Sequence, residues 1–146
     1  MITDAQNQFS NAQAVTATAV STNYIDLSQF RDIGTGENLY IGVNVAVAMT
    51  DAGSDSTITV TLESDEDTAF SDPNVAQTLG TFAALSAIGT RIIARIQPGV
   101  ILLGEDRYIQ LRYTAANGNL TTGSFTAEIF EDIDKFQSYA SGFAIS

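Results

Sequence analysis

The sequence contains no cysteine, no histidine and no tryptophan, and Lys135 is its single lysine. Each absence removes a class of chemistry. Without cysteine there is neither a disulfide framework nor a thiolate metal site, and a chain with nothing to oxidise tolerates either redox compartment. Without histidine or cysteine, the Ser–His and Cys–His pairs that activate nucleophiles cannot be assembled. A carboxylate pair of the glycosidase kind remains chemically available. The acids gather in loops, however, such as Asp65-Glu66-Asp67 and Glu131-Asp132, and there is no tryptophan to stack a sugar ring. The expectation is a protein that is not an enzyme and uses no cofactor.

Positive charge is also scarce, since six cationic side chains against 17 acidic ones leave a net charge of −11. Nucleic-acid binding needs clustered cations that displace counterions from phosphates. Arg91 with Arg95 and Arg107 with Arg112 come nearest to a cluster, so nucleic acid is not an expected partner. The acidity either keeps copies apart and in solution or answers a basic partner. No apolar run approaches the ~20 residues of a membrane span. Met1-Ile2-Thr3-Asp4-Ala5-Gln6-Asn7 has neither the basic nor the apolar section of a secretory leader, so no membrane partner is expected. The expected place of synthesis and residence is the cytoplasm, and Asn119-Leu120-Thr121, formally a glycosylation sequon, then reads as a loop.

What is present is a β pattern. With 146 residues, 45% apolar and 16% charged, the chain can enclose one core, and a single domain spanning 1–146 is expected. Along Leu39 to Met49 the residues Leu39, Ile41, Val43, Val45, Val47 and Met49 alternate with smaller or polar ones, which places all six on one face of a strand. Thr57 to Ser64 repeats the alternation with Ile58, Val60 and Leu62. The turn-forming stretch Thr50 to Asp55 between them predicts a hairpin.

Further strands are predicted at Ala14 to Val20, Tyr24 to Leu27, Val75 to Phe82, Arg91 to Ile96, Tyr108 to Ala115 and Ser124 to Phe130. About eight strands with turns every 8–12 residues is the pattern of an antiparallel β-sandwich or barrel. Helical signal is confined to single turns at Glu66 to Phe70, capped by Asp65, and at Asp134 to Ala140.

The stretch 1–11 and the tail 135–146 lie outside this series, yet carry Ile2 and Phe9, and Phe136, Tyr139, Phe143 and Ile145. These six are the candidate protein-interface residues. Either both ends fold back over the sandwich, or they are arms whose aromatic anchors dock on a neighbour. Two other features invite a site. Asp65, Asp67 and Asp72 resemble part of a calcium loop, although the glycine of such a loop is missing, so a solvated acidic turn is the alternative. Gly34-Thr35-Gly36 has no following lysine and reads as a turn, not a phosphate loop.

Several segments, taken in order, resemble one family. They are Ala12-Gln13-Ala14-Val15-Thr16, Arg31 to Glu37 (RDIGTGE), Met49 to Ser56 (MTDAGSDS) and Gln77 to Phe82 (QTLGTF). Arg107 to Thr114 (RYIQLRYT) and Gly118 to Ala127 (GNLTTGSFTA) complete the series. Together they are similar to the capsid cement, or decoration, proteins of tailed bacteriophages, in particular the type on a short-tailed Bordetella phage. The stretch Gln97 to Asp106 departs from that likeness.

The resemblance implies a jelly-roll sandwich on the outer surface of a virion head, bridging copies of the major capsid protein. It also implies a symmetric oligomer, a homodimer being favoured and a trimer the alternative, with no catalytic residues. A carbohydrate-binding sandwich is the competing expectation, and Tyr24, Tyr40 and Tyr108 are its only plausible ring platforms. The charge reading makes a direct prediction. On gel filtration with duplex DNA at low salt, the chain elutes apart from the DNA, and co-elution would contradict it.

Overall fold

The computed structural model describes residues 5–27, 38–97 and 106–131. A single turn of 3-10 helix at Ala5–Asn7 leads into nine strands. They are β1 (Gln8–Ala14), β2 (Ala19–Val20), β3 (Ile25–Asp26), β4 (Tyr40–Thr50), β5 (Thr57–Asp65), β6 (Asn74–Phe82), β7 (Arg91–Arg95), β8 (Tyr108–Ala116) and β9 (Thr122–Phe130). All pairings are antiparallel. The first sheet runs β1-β9-β4-β7, and the second runs β2-β8-β5-β6, with β3 also on β8. Since β2 and β3 pair with successive parts of β8, they act as one broken edge strand. The result is two facing four-strand layers in which every neighbouring pair except β5–β6 is distant in sequence, which is the jelly-roll arrangement.

The alternation identified β4 to β9 correctly but misassigned one connection. β4 and β5 do not form a hairpin: β4 lies between β9 and β7, and β5 between β8 and β6. Period-two patterning fixes which face of a strand is buried, not which strand lies beside it. Both strands bury their apolar faces in the core between the sheets, and residues 51–56 cross from one sheet to the other. The crossing is pinned by Asp51, whose Oδ2 accepts the Ser56 hydroxyl at 2.7 Å and the backbone N–H groups of Ser56 and Asp55 at 3.1 and 3.2 Å. The Ser56 hydroxyl is also the main reason the Asp51 carboxyl sits below its usual 3.8.

Two further boundaries differ from the pattern. The strand expected over Ala14 to Val20 is broken at Val15–Thr18, because Val15 N–H and Thr16 C=O bond instead to Gly123 and Leu120. The stretch expected as an arm through Asn11 instead supplies β1, an edge strand, from Gln8 onward. Glu66 to Ala69 forms a turn and not a helix, since Asp65 and Asp67 bond backbone N–H groups two residues ahead and compete with helical pairing. The arms' remaining residues, the turn expected at Asp134 to Ala140 and Gly34-Thr35-Gly36 lie outside the described residues.

The core lies between the layers. From the first sheet come Phe9, Ile41, Val43, Val45, Phe125 and Ala127; from the second come Ile58, Val60, Leu62, Phe82, Ile109, Leu111 and Tyr113, all buried. Val47, expected on the inner face of β4, is 48% exposed. Register shifts on either side of it turn its side chain outward before Met49 returns to the core.

Phe125 sits at the centre, its ring 5.3 Å from Tyr113 in a stacked pair and 5.2 Å from Phe82. The Tyr113 hydroxyl finds a partner in Ser10 Oγ at 2.8 Å. Burial still pushes the phenol up from 10.0 to about 12, against the opposing hydrogen bond. A raised phenol favours the protonated fold, so this stability is complete below pH 10 and is lost as pH rises through about 12. Urea melts from pH 9 to 12.5 should therefore show the native chain losing on the order of 2–3 kcal/mol more than Tyr113→Phe. Parallel profiles would contradict it.

Candidate interaction surfaces

Of the six residues expected at an interface, only Phe9 lies among the described residues, and it is not at the surface. Its side chain is fully buried in the core of its own chain. The register shift between Gln8 and Ser10 on β1 turns Phe9 and Ser10 together toward the interior. An aromatic ring in that position holds the first sheet to the second and is not available to a neighbouring subunit. Ile2, Phe136, Tyr139, Phe143 and Ile145 lie outside the described residues.

The ionisable groups are largely committed to holding the fold. Asp65 accepts the N–H groups of Asp67 and Asp72 at 3.1 and 3.3 Å, and Asp67 accepts that of Ala69 at 2.8 Å. The acidic turn is thus stabilised by its own backbone. Among the described residues, no group of three or more acidic side chains is placed to hold a metal ion. On β5, the buried Glu63 accepts hydrogen bonds from Gln110 Nε2, at 2.9 Å, and from Arg112 Nε. Arg107 forms a two-pronged pair with Asp26, at 2.9 and 2.8 Å, which is also what raises its pKa. Asp106 accepts the Ser64 hydroxyl.

The three tyrosines proposed as sugar platforms do not share a face. Tyr24 and Tyr108 meet edge to face at 5.5 Å beside the second sheet. Phe70 lies 6.2 Å from Tyr24, and the Arg107 guanidinium lies 5.0 Å over the Tyr108 ring. Tyr40 belongs to the first sheet and stacks on Phe130 at 6.0 Å. Tyr24 is 48% exposed and lies beside Tyr108, so two of the three rings are together and the third stands apart on the other sheet.

A different surface stands out, between the strands that the alternation places at Val75 to Phe82 and Arg91 to Ile96. β6 and β7 are the outermost strands of their respective sheets, and they come close because Gly80 has no side chain. A methyl group at position 80 would lie 3.2 Å from Ile92. Gln77 spans the gap, its Nε2 donating to the Arg95 carbonyl at 2.9 Å and its Oε1 accepting the Gln97 N–H at 3.1 Å. The connection between the strands is tied to β4: Met49 N–H bonds Ser86 C=O, Gly89 N–H bonds Val45 C=O and Val45 N–H bonds Thr90 C=O, at 2.9–3.0 Å.

Ile88 is carried on a tight turn closed by Thr90 N–H to Ala87 C=O, with Gly89 at φ +84°, and is 69% exposed. Leu85, 51% exposed, has φ +58°, a left-handed conformation that costs roughly 1–2 kcal/mol for a residue with a side chain. A backbone held in this way turns an apolar side chain to solvent instead of to the core. The sequence signal that marks the loop is leucine and isoleucine within a run of small, uncharged residues.

No helix of the described residues is long and apolar enough to cross a membrane. A comparison with curated proteins finds no match. A family model named Bbp16 matches residues 9–129, which run from the buried Phe9 of β1 into the end of β9 and take in both sheets. The chain belongs to the Bbp16 family.

Proposed function

We propose that the chain is a structural virion protein that binds the outer surface of a tailed-phage head and stabilises it by bridging major capsid protein subunits. The observation that carries this reading is the Bbp16 match across the complete sandwich, residues 9–129. That family name is compatible with a Bordetella phage virion protein. Two properties of the molecule support it. The jelly roll closes its core without disulfides, and the ionisable side chains described above are used to secure turns and sheet faces.

A protein of this kind works by multiplicity. Each copy adds a modest interface, ~1,000–2,000 Å² in total, and the closed symmetry of the shell repeats it. The partners are then the major capsid protein and other copies of this chain, with a homodimer favoured over a trimer. The net charge of −11 fits a protein made in a cytoplasm crowded with nucleic acid, where it must remain dispersed until a shell is present.

Heads lacking the chain provide the test. Purified chain added to undecorated heads should co-sediment at a fixed stoichiometry and raise the temperature at which the heads release DNA. Absence of co-sedimentation, together with retention on a glycan array, would replace this reading with a carbohydrate-binding one.

A further inference from the structure

On the side of the sandwich away from β6 and β7, the edges carrying β1 and β3 leave a cleft of about 630 Å³. Ligand clefts run to roughly 300–1,000 Å³, so a small molecule fits. Gln6, Gln8, Thr22, Asn23, Tyr24 and Asp26 contribute to its walls.

The walls are fixed by bonds that use backbone groups and spare side-chain ones. Asn23 N–H donates to Phe9 C=O at 2.9 Å and Asn23 Nδ2 to Gln8 C=O at 3.1 Å, which joins the two sheet edges. Ser21 holds the same corner from behind, with its N–H on Leu111 C=O and its hydroxyl on Asn23 C=O, at 2.7 and 2.8 Å. Thr22 N–H donates to Gln13 Oε1 at 2.8 Å. Among the described residues, the Gln8 amide, the Thr22 hydroxyl and Asn23 Oδ1 have no hydrogen-bond partner.

Tyr24 adds a ring that is 48% exposed yet held in place, since it contacts Tyr108 at 5.5 Å and Phe70 at 6.2 Å. Asp26 is the one charged side chain of the lining among the described residues, and Arg107 balances it. A fixed ring with amide and hydroxyl groups around it, and no unbalanced charge, suits an uncharged ligand that has an apolar face and a rim of hydroxyls. A sugar ring is that ligand. An extended peptide is a poorer occupant, because the Gln8 and Phe9 carbonyls that an added strand would use already accept from Asn23.

We propose that this cleft binds one ring of an uncharged saccharide, with Tyr24 against its C–H face and Gln8, Thr22 and Asn23 bonding its hydroxyls. The site goes beyond the capsid reading and does not depend on it. A free sugar and the end of a polysaccharide offer the same ring, and the test separates them.

Saturation-transfer NMR of the full-length chain with the methyl glycosides of glucose, galactose, mannose and N-acetylglucosamine is run beside retention on an array of neutral and charged glycans. At least one glycoside should receive saturation at its C–H protons and displace the chain from the neutral glycans ending in that sugar. Tyr24→Ala should weaken binding about 10-fold or more, whereas Tyr24→Phe, which keeps the ring, should stay within about 3-fold of native. Thr22→Val should weaken it about 5-fold. Val75→Ala, at an exposed position on the far edge strand β6, should bind as the native chain does.

Binding to none of the glycosides or neutral glycans, or retention on charged glycans alone, would overturn the proposal. So would a Tyr24→Ala variant of native affinity, or array retention that the free glycoside does not displace. Co-sedimentation with undecorated heads is measured on the same variants, and Tyr24→Ala should bind heads as the native chain does. A native chain that binds saccharide but not heads would remove the capsid reading and leave this site standing. Loss of head binding in Tyr24→Ala, with no saccharide bound by the native chain, would assign the cleft to shell protein and overturn it.

Discussion

The contact on which the structure depends is the aromatic stack at the centre of the sandwich. Phe125 comes from the first sheet, and Tyr113 and Phe82 from the second, with ring centres 5.2–5.3 Å apart. The sheets have no covalent link, so their adhesion comes from apolar area removed from water and from close packing across the interface. Around the stack, Val43, Val45, Val60 and Leu111 fill the layer from both sides. The same requirement explains Phe9. A short edge strand such as β1 stays on its sheet more firmly when it contributes a large side chain to the common core.

A sandwich closed in this way still has edges, and their treatment sets what the molecule can bind. β1 is tied down by its own polar groups, with Ser10 reaching Tyr113 and Gln13 reaching the Val20 carbonyl at 2.7 Å. Arg107 and Asp26 fasten the broken strand β3 to β8. On the opposite side, Gln77 joins β6 to β7, so backbone groups are satisfied while apolar side chains stay exposed. That combination blocks indiscriminate strand addition.

Much of the fold is legible in the sequence because burial on one face imposes period two. The strands β4, β5, β6, β7, β8 and β9 fall close to where alternation and turn residues place them. The β4–β5 connection was not legible, since both a hairpin and a crossing between sheets need turn formers and the same alternation. β1 was missed because its register shift puts Phe9 and Ser10 side by side toward the core, which erases the alternation. The exposed loop residues Leu85 and Ile88 were equally hidden. Composition says that they are apolar, but only the positive φ of Leu85 and the anchoring of the loop on β4 reveal that they face water.

One inter-sheet stack supports the fold, whereas the exposed side chain of Ile88 on the β6–β7 loop contributes nothing to it. Equilibrium urea unfolding of Phe125→Ala beside Ile88→Asp tests it directly. Phe125→Ala should lose about 3–5 kcal/mol through the cavity left between Tyr113 and Phe82. Ile88→Asp should unfold within about 0.5 kcal/mol of the native chain. A loss below about 1 kcal/mol at position 125, or a comparable loss at position 88, would contradict the account.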